Sequence, residues 1–100
     1  MKLTIFRAGM PTSSIKTVTK ENYFEKMKAI FEKDHDSSVF IETLTLSNYT
    51  LFVDEDGNNK CLPYNQGASR YATSISKKPP YAIMLVGTVI FIESKELKDL

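Results

Sequence analysis

The sequence predicts a small α+β domain in which two helices pack on a mixed, mainly antiparallel sheet. Three patterns predict it. Apolar residues recur at helical spacing in two separate stretches, Tyr23, Phe24, Met27, Ile30 and Phe31, then Ala68, Tyr71, Ala72 and Ile75. Two runs rich in β-branched and aromatic residues, 39–46 and 49–54, are separated only by Ser47-Asn48, the length of a hairpin turn. The stretch 82–92 is too apolar for a strand with one wet face, so it is expected at the centre of the sheet.

The elements follow in order. Residues 2–7 are rich in strand formers and are ended by Gly9 and Pro11, which makes them a first strand. Residues 13–19 are polar apart from Ile15 and Val18 and fit either a loop or a short edge strand. A helix over 19–33 would have Thr19 as N-cap, Glu21 in the first turn, where the dipole favours an anion, and Lys33 in the last. After the 39–54 hairpin, Asp56-Gly57 is a second turn signal, and Lys60-Cys61-Leu62 is expected to return as a third meander strand. Pro63 breaks that pattern, and a second, shorter helix opens at Asn65. Residues 76–80 form a loop closed by two prolines, and Gly87 marks a bulge or a close approach of another backbone within the central strand. The charged stretch 93–100 is a short helix or a frayed tail.

Length and composition restrict the function. One hundred residues make one domain, 1–100, because two cores would each be too small. Thirteen Lys plus Arg against twelve Asp plus Glu leave a net charge of +1, which argues against a protein held to nucleic acid by phosphate neutralisation. With a single cysteine, Cys61, there is no intramolecular disulfide, and a reducing, cytoplasmic setting is expected. The amino terminus lacks the apolar block of a secretory signal, and the apolar run 81–92 is too short to span a bilayer, so no membrane association is expected.

No catalytic constellation, metal site or cofactor is expected, and the chain reads as a non-enzyme. Asp54, Glu55 and Asp56 are adjacent carboxylates without calcium-loop spacing, and with Gly57 and Asn58 they fit a solvated turn. His35, between Asp34 and Asp36, has no second histidine with which to share a metal and fits an exposed loop at the helix end. Cys61 fits a small buried apolar residue better than a nucleophile. A basic face of Arg7, Lys60, Arg70, Lys77 and Lys78 is weighed against the near-neutral total charge. The segment 62–65 is the most informative, since helix-start amides bind anions, Gly67 permits close backbone approach, Arg70 lies one to two turns on, and Tyr64 or Tyr71 offers a stacking face. Asn65 is equally expected as a plain N-cap with Tyr71 in the core.

Three landmarks carry a family resemblance: Val53-Asp54-Glu55-Asp56-Gly57, then Leu62-Pro63-Tyr64-Asn65 with Ala68, then Val86-Gly87-Thr88-Val89-Ile90. In their order and spacing the chain resembles an uncharacterised family of small proteins found mainly in bacteriophages and mobile elements of bacteria. It departs from that pattern at Asp54, where Asn is usual, and at Gln66-Gly67, where basic residues directly follow the Asn. The resemblance implies an accessory role in an infected bacterial cell and no known reaction. Two functions are then expected as alternatives. One is a binder that sequesters a nucleotide-type signal of host immunity through Tyr64, Asn65, Gly67 and Arg70. The other is a protein-interaction module that inhibits a host defence or regulatory protein through a sheet edge or the 54–56 turn. A chain this short has little room for a deep pocket, so a small-molecule site is expected at a homo-oligomer interface.

Overall fold

The computed structural model describes residues 1–10, 12–77 and 83–98. It is an α+β fold: strands β1 (Lys2–Phe6), β2 (Ser14–Thr17), β3 (Ile41–Leu46), β4 (Tyr49–Asp54) and β5 (Val89–Glu93), helices α1 (Tyr23–His35) and α2 (Gln66–Ser76), and a closing 3₁₀ turn, Ser94–Leu97. The strands form one sheet in the order β2-β1-β5-β4-β3, every neighbouring pair antiparallel.

The alternation of side chains along β5 explains the layering. Ile90 and Ile92 join Leu3, Ile5, Met27, Ile30, Phe31 and Phe52 in one core, whereas Val89 and Phe91 join Leu51, Val53, Ala68 and Ala72 in another. Successive strand residues face opposite sides of a sheet, so α1 covers one face and α2 the other. The central strand is therefore dry on both faces, and burying each of its large side chains contributes roughly 1.5–3 kcal/mol. Ala68 and Ala72 are fully buried, which lets α2 lie close to the sheet.

Several boundaries differ from the sequence expectation, each for a local reason. Thr19 does not cap α1. Its hydroxyl accepts from the Asn22 amide at 3.3 Å while Asn22 Oδ1 accepts from the Thr19 amide at 3.0 Å, so the two close a turn and the helix starts after it. Phe24, assigned to the apolar face, is exposed. The helix runs two residues past Lys33, to His35, and stops where Asp36 turns left-handed at φ 51°. Residues 13–19 resolve as the edge strand β2, and the 39–46 strand begins at Ile41, with Val39 buried just before it.

The third meander strand is absent among the described residues. Residues 57–62 wind into successive turns, with Lys60 N–H donating to Asp56 O, Cys61 N–H to Asn58 O and Leu62 N–H to Gly57 O. Gly57 does not adopt a positive φ; the residue in the left-handed region there is Cys61, at φ 57°. Cys61 is exposed, not buried. The free side of β4 is taken instead by the more apolar β5. β5 is central as expected but starts only at Val89, because Gly87 turns to φ 67° and ends the extended run. The prolines of the 76–80 loop and the start of the 82–92 stretch lie outside the described residues.

Candidate functional site

Two polar assemblies meet where the end of β1, the start of α2 and the approach to β5 converge. The first is a part-buried seam at the end of α1. His35 Nδ1 lies 2.9 Å from Asp54 Oδ2, and the two side chains are 3% and 0% exposed. The Thr88 amide donates to His35 Nε2 at 2.9 Å. A backbone N–H can only donate, so Nε2 carries the lone pair and Nδ1 carries the proton that Asp54 receives. Lys60 Nζ completes the group at 2.7 Å from the same carboxylate oxygen, and the Asp56 amide donates to Oδ1 at 2.9 Å. Burial pushes the Asp54 carboxyl upward, but Lys60, His35 and the Asp56 amide outweigh it and hold it below its ordinary value of 3.8. Beside this group, Asp34 accepts from Arg7 Nε at 2.8 Å and from the Thr88 hydroxyl at 2.7 Å.

The seam holds an Asp–His pair whose side chains are largely withdrawn from solvent. Both imidazole nitrogens are committed, and Gly87 closes over the ring: a Cβ at that position would lie 2.8 Å from Nε2. His35 is thus buried, contrary to the exposed loop expected for it, and Asp54 is withdrawn from the acidic turn, leaving Glu55 and Asp56 at the surface. Sequence reasoning missed this connection, since it joins residues of α1, β4 and the approach to β5. The signal available was that Asp54, of the three adjacent carboxylates, directly follows the apolar run Leu51-Phe52-Val53.

The second assembly is the start of α2. Asn65 caps the helix, its Oδ1 accepting from the Ala68 amide at 3.0 Å. It does more than cap. Its Nδ2 donates to Phe6 O at 2.9 Å and to Gly87 O at 2.7 Å, while its own amide donates to Leu85 O. At 1% exposure the side chain is unavailable to a ligand. The amides of Gln66 and Gly67 precede the capped one and, as at any helix start, have no acceptor within the helix.

Tyr64, Gly67 and Arg70, with Gly9, Met10 and Gln66, line an open concavity of about 540 Å³ at this corner. Three of the four residues singled out from the sequence therefore share one surface, and the fourth, Asn65, is the frame beneath it. Gly67 also serves the packing. A Cβ there would come within 3.2 Å of the Phe6 ring, so its missing side chain admits Phe6. Tyr71 packs inward against Phe6, Tyr49 and Phe91. Its hydroxyl donates to that of Tyr49 at 3.2 Å, and this bond, burial and the charges of Tyr49 and Glu93 push it up to about 12.

Of the residues weighed for a basic face, two are tied to carboxylates. Arg7 is paired with Asp34, Lys60 with Asp54 and Ser38 O, and Lys77 ends α2 two turns beyond Arg70. Lys78 lies outside the described residues. Comparison with family models, curated proteins and solved structures finds no match for the chain. The described part contains no helix long and apolar enough to cross a membrane.

Proposed function

We propose that the chain is a non-enzymatic binder of a small anionic ligand of nucleotide type, held in the concavity at the start of α2. The observation that carries this reading is that an exposed Tyr64, Arg70, and Gln66 and Gly67 of the first turn of α2 line one open concavity. Helix-start amides and a guanidinium both favour phosphate, and a tyrosine face favours a base. The role falls to Gln66 and Gly67 amides, with Asn65 holding them in place from below. Sequestration needs tight binding and no reacting groups, which suits a corner whose one Asp–His pair is sealed.

The family resemblance supplies the setting: an accessory protein of a phage or mobile element, acting in the cytoplasm of an infected bacterium by removing a nucleotide signal of host immunity. Calorimetry with a panel of linear and cyclic nucleotides tests it. Saturable heats that weaken about tenfold in Arg70→Glu are expected, the loss of one charge-assisted contact being of that order. Uniformly absent heats from folded protein would reject the reading.

A protein-interaction module that inhibits a host protein is the second reading, favoured by the outer edge of β3, which pairs with no strand among the described residues. A stoichiometric protein captured from host lysate, with no retained nucleotide, would put it first.

A further inference from the structure

We infer that the outer edge of β3 is a self-pairing surface, through which two copies of the chain join their sheets about a two-fold axis at Thr43. This goes beyond the ligand-binding reading and does not depend on it.

The two edges of the sheet are protected unequally. β2 is four residues long and carries Lys16, the ordinary defence of an edge. β3 is six residues long, with Glu42 its one charge and no proline, glycine or lysine. Among the described residues none pairs with its outer side. Exposed apolar side chains gather there, Phe40 at 71%, Leu44 and Met84, the last two sharing a small groove with Glu42.

The hydrogen-bond phase fixes how a second copy fits. Glu55 N–H donates to Phe40 O at 2.8 Å, one step beyond the Ile41–Asp54 pair. Bonded and non-bonded pairs alternate along an antiparallel ladder, so Glu42, Leu44 and Leu46 turn their backbone groups toward β4. Ile41, Thr43 and Thr45 turn theirs outward. An antiparallel copy engages all three outward residues only when the axis passes through Thr43, with Ile41 opposite Thr45. In that register Glu42 meets Leu44 of the second copy and never meets itself, Phe40 meets Leu46, and the two Thr43 side chains face each other. The strand is thus complementary to itself in backbone and apolar cover and sets no like charges opposite each other, as suits an isologous interface.

Sedimentation equilibrium of the full chain, with circular dichroism to verify folding, tests the assignment. A dimer is expected for the wild type. Thr43→Pro removes an outward N–H that β4 does not use and should leave folded monomer. Leu44→Glu sets two Glu–Glu pairs across the axis and should raise the dissociation constant about tenfold. Adding Glu42→Lys to Leu44→Glu should restore the dimer, because each introduced lysine then faces an introduced glutamate of the other copy. A wild type that stays monomeric, a dimer indifferent to Leu44→Glu, or a double variant that fails to recover overturns the inference. So does a monomer whose edge is filled by an added extended peptide.

Discussion

The backbone amide of Thr88 donates to Nε2 of His35 at 2.9 Å, which commits the imidazole to one tautomer and turns its proton toward Asp54. Long-range nitrogen–proton correlation spectra should show protonated Nδ1 and bare Nε2 in the folded protein. The opposite tautomer would refute the reading of the seam. His35→Ala strips a partner from both Asp54 and Thr88, and leaving buried polar groups unsatisfied costs about 1–3 kcal/mol each. Urea denaturation should show a loss of about 3 kcal/mol by that reckoning.

Asp54 makes the protein sensitive to acid. Its carboxyl is held below 3.8 in the folded state, so its contribution to stability is complete above that value and is lost as pH falls through the lower, folded one. Wild-type stability should therefore drop on acidification below about pH 4 by this linkage, and Asp54→Asn should flatten that limb while being less stable at neutral pH. Parallel curves for the two proteins would show that other carboxylates dominate.

At high pH Tyr71 has the converse effect. A phenol raised from 10 to about 12 contributes stability that is complete below pH 10 and lost as pH rises toward 12. Tyr71→Phe should remove that slope and cost about 1 kcal/mol for the lost hydrogen bond. Ultraviolet titration of wild type against Tyr71→Phe gives a direct check, since the substitution should remove a late-ionising phenol.

Gly87→Ala should be among the most damaging small substitutions in the chain. It forces a Cβ into a backbone at φ 67° and within 2.8 Å of both His35 Nε2 and Leu62 Cδ1. Strain of roughly 1–3 kcal/mol from the left-handed backbone adds to the clash. A thermal midpoint within a degree or two of wild type would contradict the close packing described.

Asn65 separates capping from pinning. Asn65→Asp keeps an oxygen for the Ala68 amide but sets its other oxygen against Phe6 O and Gly87 O, where a donor is required. Loss of a cap alone costs about 1 kcal/mol. Denaturant melts of Asn65→Asp should show a larger loss than that, and a stability equal to wild type would reduce the residue to a cap.

The helices, the Ser47-Asn48 hairpin and the central placement of β5 were legible because each is written in local spacing or in a continuous apolar run. The helix start at Asn65 was legible for the same reason. What Asn65 does beyond capping was not, since Phe6 is 59 positions away and Gly87 is 22. The seam was hidden likewise: Asp54 looked like one of three turn carboxylates, and only the tertiary fold brings His35 and Lys60 to it. Turn signals misled at Asp56-Gly57, where the Asp54 carboxylate holds the Asp56 amide and winds the chain into a coil of turns. Of the ligand residues, Tyr64, Gly67 and Arg70 reach one surface because α2 begins there, and burial removes Asn65 from it.

The position of β5 has a consequence for how the chain is made. β1 with β2, and β3 with β4, each close through short connections, yet neither hairpin touches the other within the sheet; the rung that joins them is β5, which follows the other four in chain order among the described strands. A nascent polypeptide halted before Val89 holds two separate ribbons with a bare groove between them, and closure waits on pairings distant in sequence, which are slow to form.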